Sequence, residues 1–478
     1  MKATMTLGLL FAAACAVAQP DEAQKTSANT LLGGRPLVSG PLTRDEAVEI
    51  ALRESPVVRG AVAEVDAAAA RVAAARAERR PMVSANAFLT AGNNAAILPS
   101  SPVVAPQAFM GVPRDNFADL NLMLMVPLYQ GGRLRAMTRA ASAMREASES
   151  ELSAMRQEVA LMTRTAYNAV LARREMVAVW QARLDEDNER LRLDRARLEQ
   201  EQIPAYYLRR DEAEVAATRQ ELTNAQRDVE IALVQLKTVL GVRPESEVEV
   251  SGALAAPPIE ELRQRLGAPD EGAGAGAWQS DLLPLDALLR HAEQARPELA
   301  AARQRVRGAR DEADSVRGAY RPQVNAMAMA DWMSMEGEGT RTGTTVGVVA
   351  SLPLVTGGMR KARVAEAEAE RRREEQERER TALRIGEEVQ TALLNLRAAR
   401  QNVEATRAEL VAANAEYEAA NLRYQVGRSL VVEALDAQAT RIRAQSNTVQ
   451  AIYGFTVAYD QLLRAIGALD PPPTGAED

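Results

Sequence analysis

The chain repeats itself, and this duplication limits its possible folds more than any other feature. Pro56 and Pro297 are 241 residues apart, and so are the Arg-Pro pairs that end at Pro81 and Pro322. Further along the spacing is 226 residues, because Pro127-Leu128-Tyr129-Gln130-Gly131-Gly132 corresponds to Pro353-Leu354-Val355-Thr356-Gly357-Gly358. The first copy therefore has 15 additional residues between Pro81 and Pro127. We expect them in a loop, since loops tolerate insertions and the flanking segments keep their length.

Each copy predicts the same order of elements. The first copy, residues 41–250, predicts helices over about 43–80, 133–203 and 204–240 and strands over about 82–91 and 117–126. The second copy, residues 282–467, predicts helices over about 284–320, 359–426 and 428–466 and strands over about 323–332 and 343–352. Thr43 and Glu46 form a capping-box pattern at the start of the first helix. Prolines and glycines mark the strand–helix junctions: Pro81, Pro127, Gly131, Gly132, Pro322, Pro353, Gly357 and Gly358.

The second predicted helix of each copy is very long. Arg133 to Ile203 contains no glycine or proline, so an uninterrupted helix there would span on the order of 100 Å. Its apolar residues follow the 3–4 spacing of a coiled-coil seam, in which Met155, Met162 and Trp180 are expected to pack. Arg173, Asp187 and Asp194 interrupt this apolar stripe. Together with the helix that follows it, each long helix predicts a helical hairpin.

Four segments alternate between apolar and polar residues, as half-buried strands do. The residues expected to share one apolar face are Val83, Ala85, Ala87, Leu89, Leu120, Leu122, Leu124, Val126, Val324, Ala326, Ala328, Ala330, Trp332, Val346, Val348, Ala350 and Leu352. About 9–11 residues of such alternation are typical of a transmembrane β-strand. Two ordinary amphipathic hairpins packed on the helices are the alternative, which we disfavour because the helices are too long to fold back into a compact core.

Four strands cannot close a barrel, and an open sheet edge is not tolerated in lipid. Three chains would contribute twelve strands, an even number within the range of known barrels. A dimer with eight strands is also compatible with the pattern alone. The predicted fold is therefore mostly α-helical with a transmembrane β-barrel portion, built from duplicated units of one strand hairpin and one long coiled-coil hairpin.

The remaining segments predict export and flexible connections. Residues 1–18 have the pattern of a signal peptide that ends in Ala16-Val17-Ala18. Lipidation of Cys15 is the alternative, and we favour simple cleavage because Ala12 stands where lipoprotein signals usually have leucine. Residues 19–40 predict a linker, residues 251–281 a connection between the two copies, and residues 468–478 a disordered tail.

The composition argues against several classes of function. The net charge of −7 is spread over interspersed acids and bases, so no basic face indicates nucleic-acid binding. With one histidine, His291, and one cysteine, a metal site of these ligands is not predicted, and neither is an enzyme or a cofactor. His291 is expected to be exposed on its helix. Alternating methionines could provide a path for copper or silver, although plain lining is the more common role of such a pattern: Met327, Met329, Met333 and Met335.

One local motif is more specific than these patterns. The segment Tyr424-Gln425-Val426-Gly427-Arg428-Ser429-Leu430-Val431-Val432-Glu433-Ala434-Leu435-Asp436-Ala437 resembles the helix-tip motif of the TolC-like outer-membrane efflux proteins. The Pro-Leu-x-x-Gly-Gly sequences at Pro127 and Pro353 resemble that family's strand-to-helix junction. The resemblance implies a homotrimer in the outer membrane of a Gram-negative bacterium, in contact with lipid. It implies a twelve-stranded barrel on a twelve-helix periplasmic tunnel, whose tips dock a periplasmic adaptor (membrane fusion protein) linked to an inner-membrane pump.

The resemblance also implies roles for individual residues. The residues expected to contact the adaptor are Val426, Gly427 and Arg428 in the second copy and Glu201 and Gln202 in the first. Those expected to form the periplasmic gate and selectivity site are Tyr424, Glu433, Asp436 and Tyr207. Glu201 stands where glycine is usual, Tyr207 where an acid is common, and Ser429 where some members have arginine.

Two alternatives remain open from the residues alone. Three copies of Glu433 and Asp436 around one axis would form a negative constriction that attracts cations. The same two acids would also suit the solvated start of a helix, where they interact favourably with its dipole. For the whole chain, the alternative function is a periplasmic coiled-coil adaptor or scaffold without a conduit.

Overall fold

The computed structural model describes residues 40–90, 117–243, 245–258, 284–335, 339–426 and 428–469. The predicted signal peptide with Cys15, the linker up to residue 39, the longer loop of the first copy, most of the inter-copy connection, Gly427 and the tail from residue 470 lie outside the described residues. The first copy contains α1 (Arg44–Glu54), α2 (Pro56–Ala77), β1 (Met82–Thr90), β2 (Phe117–Gln130), α3 (Arg133–Glu199) and α4 (Ala205–Leu240). The second contains α5 (Leu285–Ala295), α6 (Pro297–Gly318), β3 (Gln323–Met335), β4 (Gly339–Ser351), α7 (Met359–Gln425) and α8 (Val431–Ala465).

The two copies have closely matched element lengths. Helices α1 and α5 each have 11 residues, α2 and α6 each have 22, and α3 and α7 each have 67. The strand hairpins also share one register. Met82 pairs with Met125 in the first hairpin, and the residues at the equivalent positions, Gln323 and Ser351, pair in the second. The chain is therefore a structural repeat, and each half can be used to interpret the other.

The helix that leads into each sheet is broken, contrary to the single helices expected over 43–80 and 284–320. Ser55 separates α1 from α2 with φ −59° and ψ 126°, and Arg296 separates α5 from α6 with φ −70° and ψ 118°. Pro56 and Pro297 follow these residues, and a proline disfavours helical geometry in the residue before it. The capping box that Thr43 forms with Glu46 is present at the start of α1.

The four strands form one antiparallel sheet in the order β1-β2-β3-β4. Leu122 pairs with Ala85 on one side and Ala330 on the other. Cross-strand partners lie on the same face of a sheet, so the apolar residues of all four strands form one continuous face. Asn86 and Asn121 pair on the opposite face, where the Asn86 side-chain amide donates to Asn121 Oδ1 at 2.9 Å.

Strand β2 continues past Pro127, where the sequence placed the end of the strand. The β2–β3 register shifts between Pro127 and Tyr129, which accommodates a residue without a backbone N–H. Strand β2 then ends at Gln130, next to Gly131 and Gly132. Pro353 follows the end of β4, and Pro81 and Pro322 precede β1 and β3. None of the described helices combines the length and the apolar character that a membrane-crossing helix needs.

The largest apolar cluster lies at the end of α8 that is remote from the helix tips. Leu288 of α5, Val389 of α7 and Leu462 of α8 are completely buried there. His291 takes part in this packing and is not the exposed residue that the sequence predicted, because its Nδ1 lies 2.9 Å from the carbonyl oxygen of Ile466. Arg296 donates to the carbonyl oxygen of Ala465 at 3.0 Å. Both contacts involve carbonyl groups at the end of α8, which a helix cannot satisfy internally.

The coiled-coil seam of α3 differs in part from the sequence prediction. Met155 and Met162 are 36% and 49% exposed, whereas Val159 and Val170 are buried. Of the three charges that interrupt the predicted stripe, Asp187 and Asp194 are buried in the seam, whereas Arg173 is exposed. A helix has 3.6 residues per turn and drifts against a strict seven-residue repeat, so counting heptads over 67 residues selects the wrong face in places.

Candidate functional site

The predicted functional residues lie at the tips of the two helical hairpins. Helices α3 and α7 each run for 67 residues from the sheet, so these tips are on the order of 100 Å from it. The tip of the first hairpin joins Glu199 to Ala205, and that of the second joins Gln425 to Val431. The structure therefore separates the chain into a sheet at one end and a cluster of turns at the other.

The two tips end their long helices with the same backbone hydrogen bond. The backbone N–H of Gln202 donates to the carbonyl oxygen of Arg197 at 2.9 Å, and that of Arg428 donates to the carbonyl oxygen of Arg423 at 2.8 Å. Glu201 has φ +59° and is the one non-glycine residue with a positive φ in the described part of the chain. Its counterpart 226 residues later is Gly427, which lies outside the described residues. A non-glycine residue in this conformation costs about 1–2 kcal/mol, so the first tip has a less favourable cap than glycine would provide.

Tyr424 joins the two hairpins through Asp194. The Tyr424 hydroxyl donates to Asp194 Oδ2, and Asp194 is completely buried. Arg197 also binds this carboxylate, with Nη1 3.0 Å from Asp194 Oδ1, and its guanidinium carbon lies 5.2 Å from the centre of the Tyr424 ring. Burial first, and then the hydrogen bond to Asp194, raise the pKa of the Tyr424 hydroxyl. The hydroxyl therefore remains a hydrogen-bond donor at neutral pH.

Asp211 of α4 adds a second carboxyl group to this buried site. Its side chain is 2% exposed, and Oδ2 has no hydrogen-bond partner among the described residues. Burial, and then the negative charge of Asp194, raise the pKa of Asp211 to about 7, although Arg190 acts in the opposite direction. A buried carboxyl group next to a carboxylate is stabilised in its protonated form. The tip therefore contains a carboxyl group that titrates near neutral pH.

A second polar cluster surrounds Asp187, which lies about two helical turns before Asp194 on α3 and therefore closer to the sheet. The Thr218 hydroxyl donates to Asp187 Oδ2 at 2.7 Å, and the Gln438 side-chain amide donates to Asp187 Oδ1 at 3.0 Å. Arg190 donates to Gln438 Oε1 at 2.5 Å. Asp187 and Gln438 are almost fully buried, and a buried polar group that loses its partner costs about 1–3 kcal/mol. This cluster joins α3, α4 and α8.

Glu186 connects the same level of α3 to both helices of the second hairpin. Arg441 of α8 forms an ion pair with Glu186, and the Tyr417 hydroxyl of α7 donates to Glu186 Oε2 at 3.4 Å. The guanidinium carbon of Arg441 lies 3.8 Å from the centre of the Tyr417 ring, within the range of a cation–π contact. Polar bonds thus hold the two hairpins together at two successive levels.

The buried polar residues of the first hairpin have alanine counterparts in the second. Asp187, Asp194, Asp211 and Thr218 correspond, 226 residues later, to Ala413, Ala420, Ala437 and Ala444. All eight side chains are buried. The first hairpin therefore has a seam of buried polar side chains where the second has small apolar ones, and this is the clearest difference between the two copies.

Most of the sequence-predicted tip residues are exposed. Glu433 and Asp436 lie on exposed positions of α8, and among the described residues neither carboxylate has a hydrogen bond or ion pair. Val426 is exposed beyond the end of α7, and Arg428, Glu201 and Gln202 are exposed in the turns. Tyr207 packs its ring 4.5 Å from that of Tyr206 and has no contact with Tyr424. The structure thus brings only Tyr424 of the predicted set into the buried cluster.

The sequence analysis missed the partners of Tyr424. Asp194, Arg197 and Asp211 carry most of the chemistry of the cluster, and Asp194 appeared only as an interruption of the apolar stripe. A charged residue at a seam position is itself a signal, because it must be paired when the helices pack. The contacts across hairpins, 230 residues apart for Tyr424 and Asp194, require the structure.

The chain thus consists of a sheet with two open edges, joined to two long hairpins that are bonded at their tips. The chain matches the outer membrane efflux protein family over residues 47–242 and 288–468. It belongs to this family, and it is a channel subunit of an outer-membrane efflux system. Proteins of this family are channels rather than enzymes, and they work with an adaptor and an inner-membrane pump. The adaptor alternative is therefore wrong.

Solved channel structures share the fold of this chain. The outer-membrane channel OprN superposes with a TM-score of 0.70 at 20% identity, over 89% of this chain and 90% of that one. VceC from Vibrio cholerae gives 0.68 at 20% identity, over 89% and 96%, and the open state of MtrE from Neisseria gonorrhoeae gives 0.67 at 19% identity, over 90% of each chain. No curated protein sequence matches the chain.

Proposed function

We propose that three chains close a twelve-stranded barrel in the outer membrane of a Gram-negative bacterium, above a twelve-helix periplasmic tunnel. The observation that carries this proposal is the sheet itself: it has four strands, an apolar face, and unpaired edges at β1 and β4. Lipid does not tolerate unpaired backbone groups, so β4 of one chain must pair with β1 of another.

The duplication supplies the register of this joint. Strand β2 pairs with β3 so that Leu124 faces Ala328 and Val126 faces Ala326. The equivalent strands at the joint are β4 and β1, so Ala350 should face Ala87 of the partner subunit, and Leu352 should face Ala85 of the partner subunit. The charges on the helices support the same joint. Arg307 of α6 forms an ion pair with Glu146 of α3 at 2.6 Å. The equivalent residues across the joint are Asp66 and Arg372, so the acid and the base are exchanged and an ion pair between subunits is again expected.

We expect cysteines at Ala87 and Ala350 to cross-link between subunits. In one chain the cross-strand row of Ala87 reaches β4 at Thr342, eight residues before Ala350. The two residues are therefore about 30 Å apart, too far for a direct bond. A short bifunctional thiol-reactive reagent, such as a bis-maleimide that adds one thiol at each end, should therefore produce a covalent trimer on a denaturing gel. Cysteine at Val349 in place of Ala350 is the matched control, because its side chain points to the other face. Equal cross-linking of both pairs would contradict the register.

The tip cluster acts in this proposal as a periplasmic gate that is closed at rest. Tyr424 and Asp194 hold the tip of the second hairpin against the first, supported by Arg197, which also donates to the carbonyl oxygen of Gln425 at 3.1 Å. Opening requires these bonds to break and Asp194 to be hydrated. The periplasmic adaptor docks on the turns at the two tips, where Glu201, Gln202, Val426 and Arg428 are exposed, and binding there would favour the separated arrangement. Gly427 is part of the proposed docking site and lies outside the described residues.

The pKa of Asp211 makes gate opening depend on pH. An unfolded aspartate has a pKa near about 3.9, and the closed tip raises the pKa of Asp211 to about 7. Between these values the closed tip holds a proton that the opened, hydrated tip releases, so raising the pH destabilises the closed state. We expect the open probability to increase as the pH rises from about 4 to 7 and to level off above about 7, where both states have released the proton. The Asp211→Asn variant should lose this pH dependence, and its channel should remain closed at pH 8. The Glu212→Gln variant, changed at the neighbouring residue, should keep the pH dependence of the parent. A pH dependence that survives in Asp211→Asn would contradict the assignment.

Glu433 and Asp436 form an acidic ring around the tunnel entrance in the trimer. Both side chains are exposed, and neither carboxylate has a partner within the part of the chain that the structure describes. This supports a role towards the tunnel axis, where six carboxylates would attract cations.

The experiment that tests the proposed function is a conductance measurement on purified protein in a planar bilayer. We expect cation-selective channels, and Glu433→Gln with Asp436→Gln should move the reversal potential in a salt gradient towards zero. Glu416→Gln with Glu418→Gln, on α7 about two turns before the tip, is the control for loss of the same charge. Absence of channels would overturn the conduit, and an unchanged reversal potential would remove the acidic ring only.

A further inference from the structure

Five methionines gather on one face of the sheet, although they come from three strands. Met125 of β2 pairs with Met82 of β1 and with Met327 of β3. Two residues further along, Met123 of β2 pairs with Met329 of β3. The five side chains therefore occupy two adjacent cross-strand rows. The alternation of methionines in β3 was visible in the sequence, but the partners from β1 and β2 depend on the register.

These rows lie on the polar face of the sheet. The next row contains Asn86, Asn121 and Asp331, which pair across the same three strands, and Asp119 follows beside Met333. The apolar leucines and valines occupy the opposite face. In the proposed barrel the polar face lines the lumen, where water fills the space and a thioether gains nothing from burial. At a lipid-facing or core position, burial of the apolar side chain would explain a methionine. That explanation does not apply to methionines that face the lumen.

The spacing suits a single ion held by several sulfurs. Neighbouring strands are about 4.8 Å apart, and a methionine side chain has three rotatable bonds and a polarizable sulfur. Met82, Met125 and Met327 can therefore direct three sulfurs to one point above Met125, with Met123 and Met329 one row away. Gly347 pairs with Met327 on its other side. A Cβ at Gly347 would meet no atom within 4 Å, so there is room for these side chains to move.

We propose that the two methionine rows are a binding site for a soft monovalent cation, Cu(I) or Ag(I), that passes through the channel as cargo. Thioethers select such ions and bind hard cations poorly. Asp119 and Asp331 lie on the same face and attract cations towards the rows. Three subunits would place three such sites around the lumen, so an ion could leave one site for the next. The placement in the lumen rests on the proposed function, whereas ion binding by the rows does not.

The test is an Ag(I) titration of the purified full-length protein in detergent, followed by the methyl NMR signals of its methionines and by calorimetry. The variant replaces the five methionines with leucine, which conserves their volume. The matched control is Met144→Leu, Met155→Leu and Met162→Leu, three exposed methionines of α3. We expect the parent and the control to bind at least one Ag(I) per chain. The five-leucine variant should bind at least about tenfold more weakly, a loss of about 1.4 kcal/mol.

The outcomes separate this site from the channel. The variant lacks five methionine methyl signals, which assigns those signals to the rows. Shifts of these five signals when Ag(I) is added to the parent, together with weaker Ag(I) binding by the five-leucine variant in calorimetry, support the site. Equal Ag(I) binding by the five-leucine variant and the parent, or no binding by the parent, would overturn it. Potassium conductance is measured on the same three proteins. If Ag(I) binding fails while conductance persists in all three, the soft-cation site is wrong and the channel stands.

Discussion

Asp194→Ala is expected to produce a channel that conducts without its adaptor. The substitution removes the acceptor of the Tyr424 hydroxyl and the partner of Arg197 in one step. A hydrogen bond to a charged group contributes about 1.5–3 kcal/mol, which corresponds to a shift of the open–closed equilibrium of about 10- to 150-fold in each subunit. The time-averaged conductance of the variant in a planar bilayer should therefore exceed that of the parent at least about tenfold.

Tyr424→Phe tests the same bond from the other side. Tyr424→Phe should increase the conductance less than Asp194→Ala does, because Arg197 still binds the Asp194 carboxylate. In a variant that already carries Asp194→Ala, Tyr424→Phe should increase the conductance little further. Tyr453→Phe is the matched control, since this half-buried tyrosine of α8 has no hydrogen bond from its hydroxyl within the described part of the chain. A parent-like conductance of Asp194→Ala would show that this bond does not hold the gate closed.

The second large effect is expected from Gly131→Ala at the junction of β2 and α3. Gly131 has φ +60°, and an added Cβ would lie 2.3 Å from the carbonyl oxygen of Gly318 and 2.6 Å from Arg321 Cβ. The first contact is with backbone, which cannot move without displacing α6. We expect Gly131→Ala to destabilise the chain by several kcal/mol, about 3 or more, and to abolish recovery of folded protein, measured by circular dichroism and size-exclusion chromatography.

Gly357 gives this prediction a control inside the same chain. It is the counterpart of Gly131 with φ +57°, but an added Cβ would meet no atom within 4 Å. In the proposed trimer its neighbour is the segment Ala77–Arg80 of the partner subunit. Gly357→Ala should therefore fold as a single chain and fail to assemble. Normal trimers of Gly357→Ala would contradict the equivalence of the two joints, and normal folding of Gly131→Ala would contradict the close approach.

The sequence predicted the elements of the fold because the two copies confirm each other. The equal spacing of Pro127 and Pro353 and of the two Gly-Gly pairs located every strand and long helix within a few residues. The breaks at Ser55 and Arg296 were missed, although both precede a proline. The bulge at Pro127 was missed because proline was read as the end of a strand, whereas an irregular register can accommodate it.

The functional site was less accessible from the sequence. Tyr424 was predicted from its resemblance to a motif, whereas its partner Asp194 lies 230 residues away and appeared in the sequence only as a charge within an apolar stripe. The β2–β3 register, which places Met327 beside Met125, is a long-range pairing that neither hairpin encodes alone. Only the repeat itself allows one further step, from this register to the joint between subunits.

The unequal seams of the two hairpins give them different mechanical properties. Ala413, Ala420, Ala437 and Ala444 allow α7 and α8 to pack closely, so the second hairpin should transmit force as a stiff rod. The first hairpin carries Asp187, Asp194, Asp211 and Thr218 at the same positions, and its stiffness depends on bonds that water can replace. A chain assembled from two second halves would still have two helical hairpins. It would lack the more flexible first hairpin, which allows a force applied at the tips to separate them.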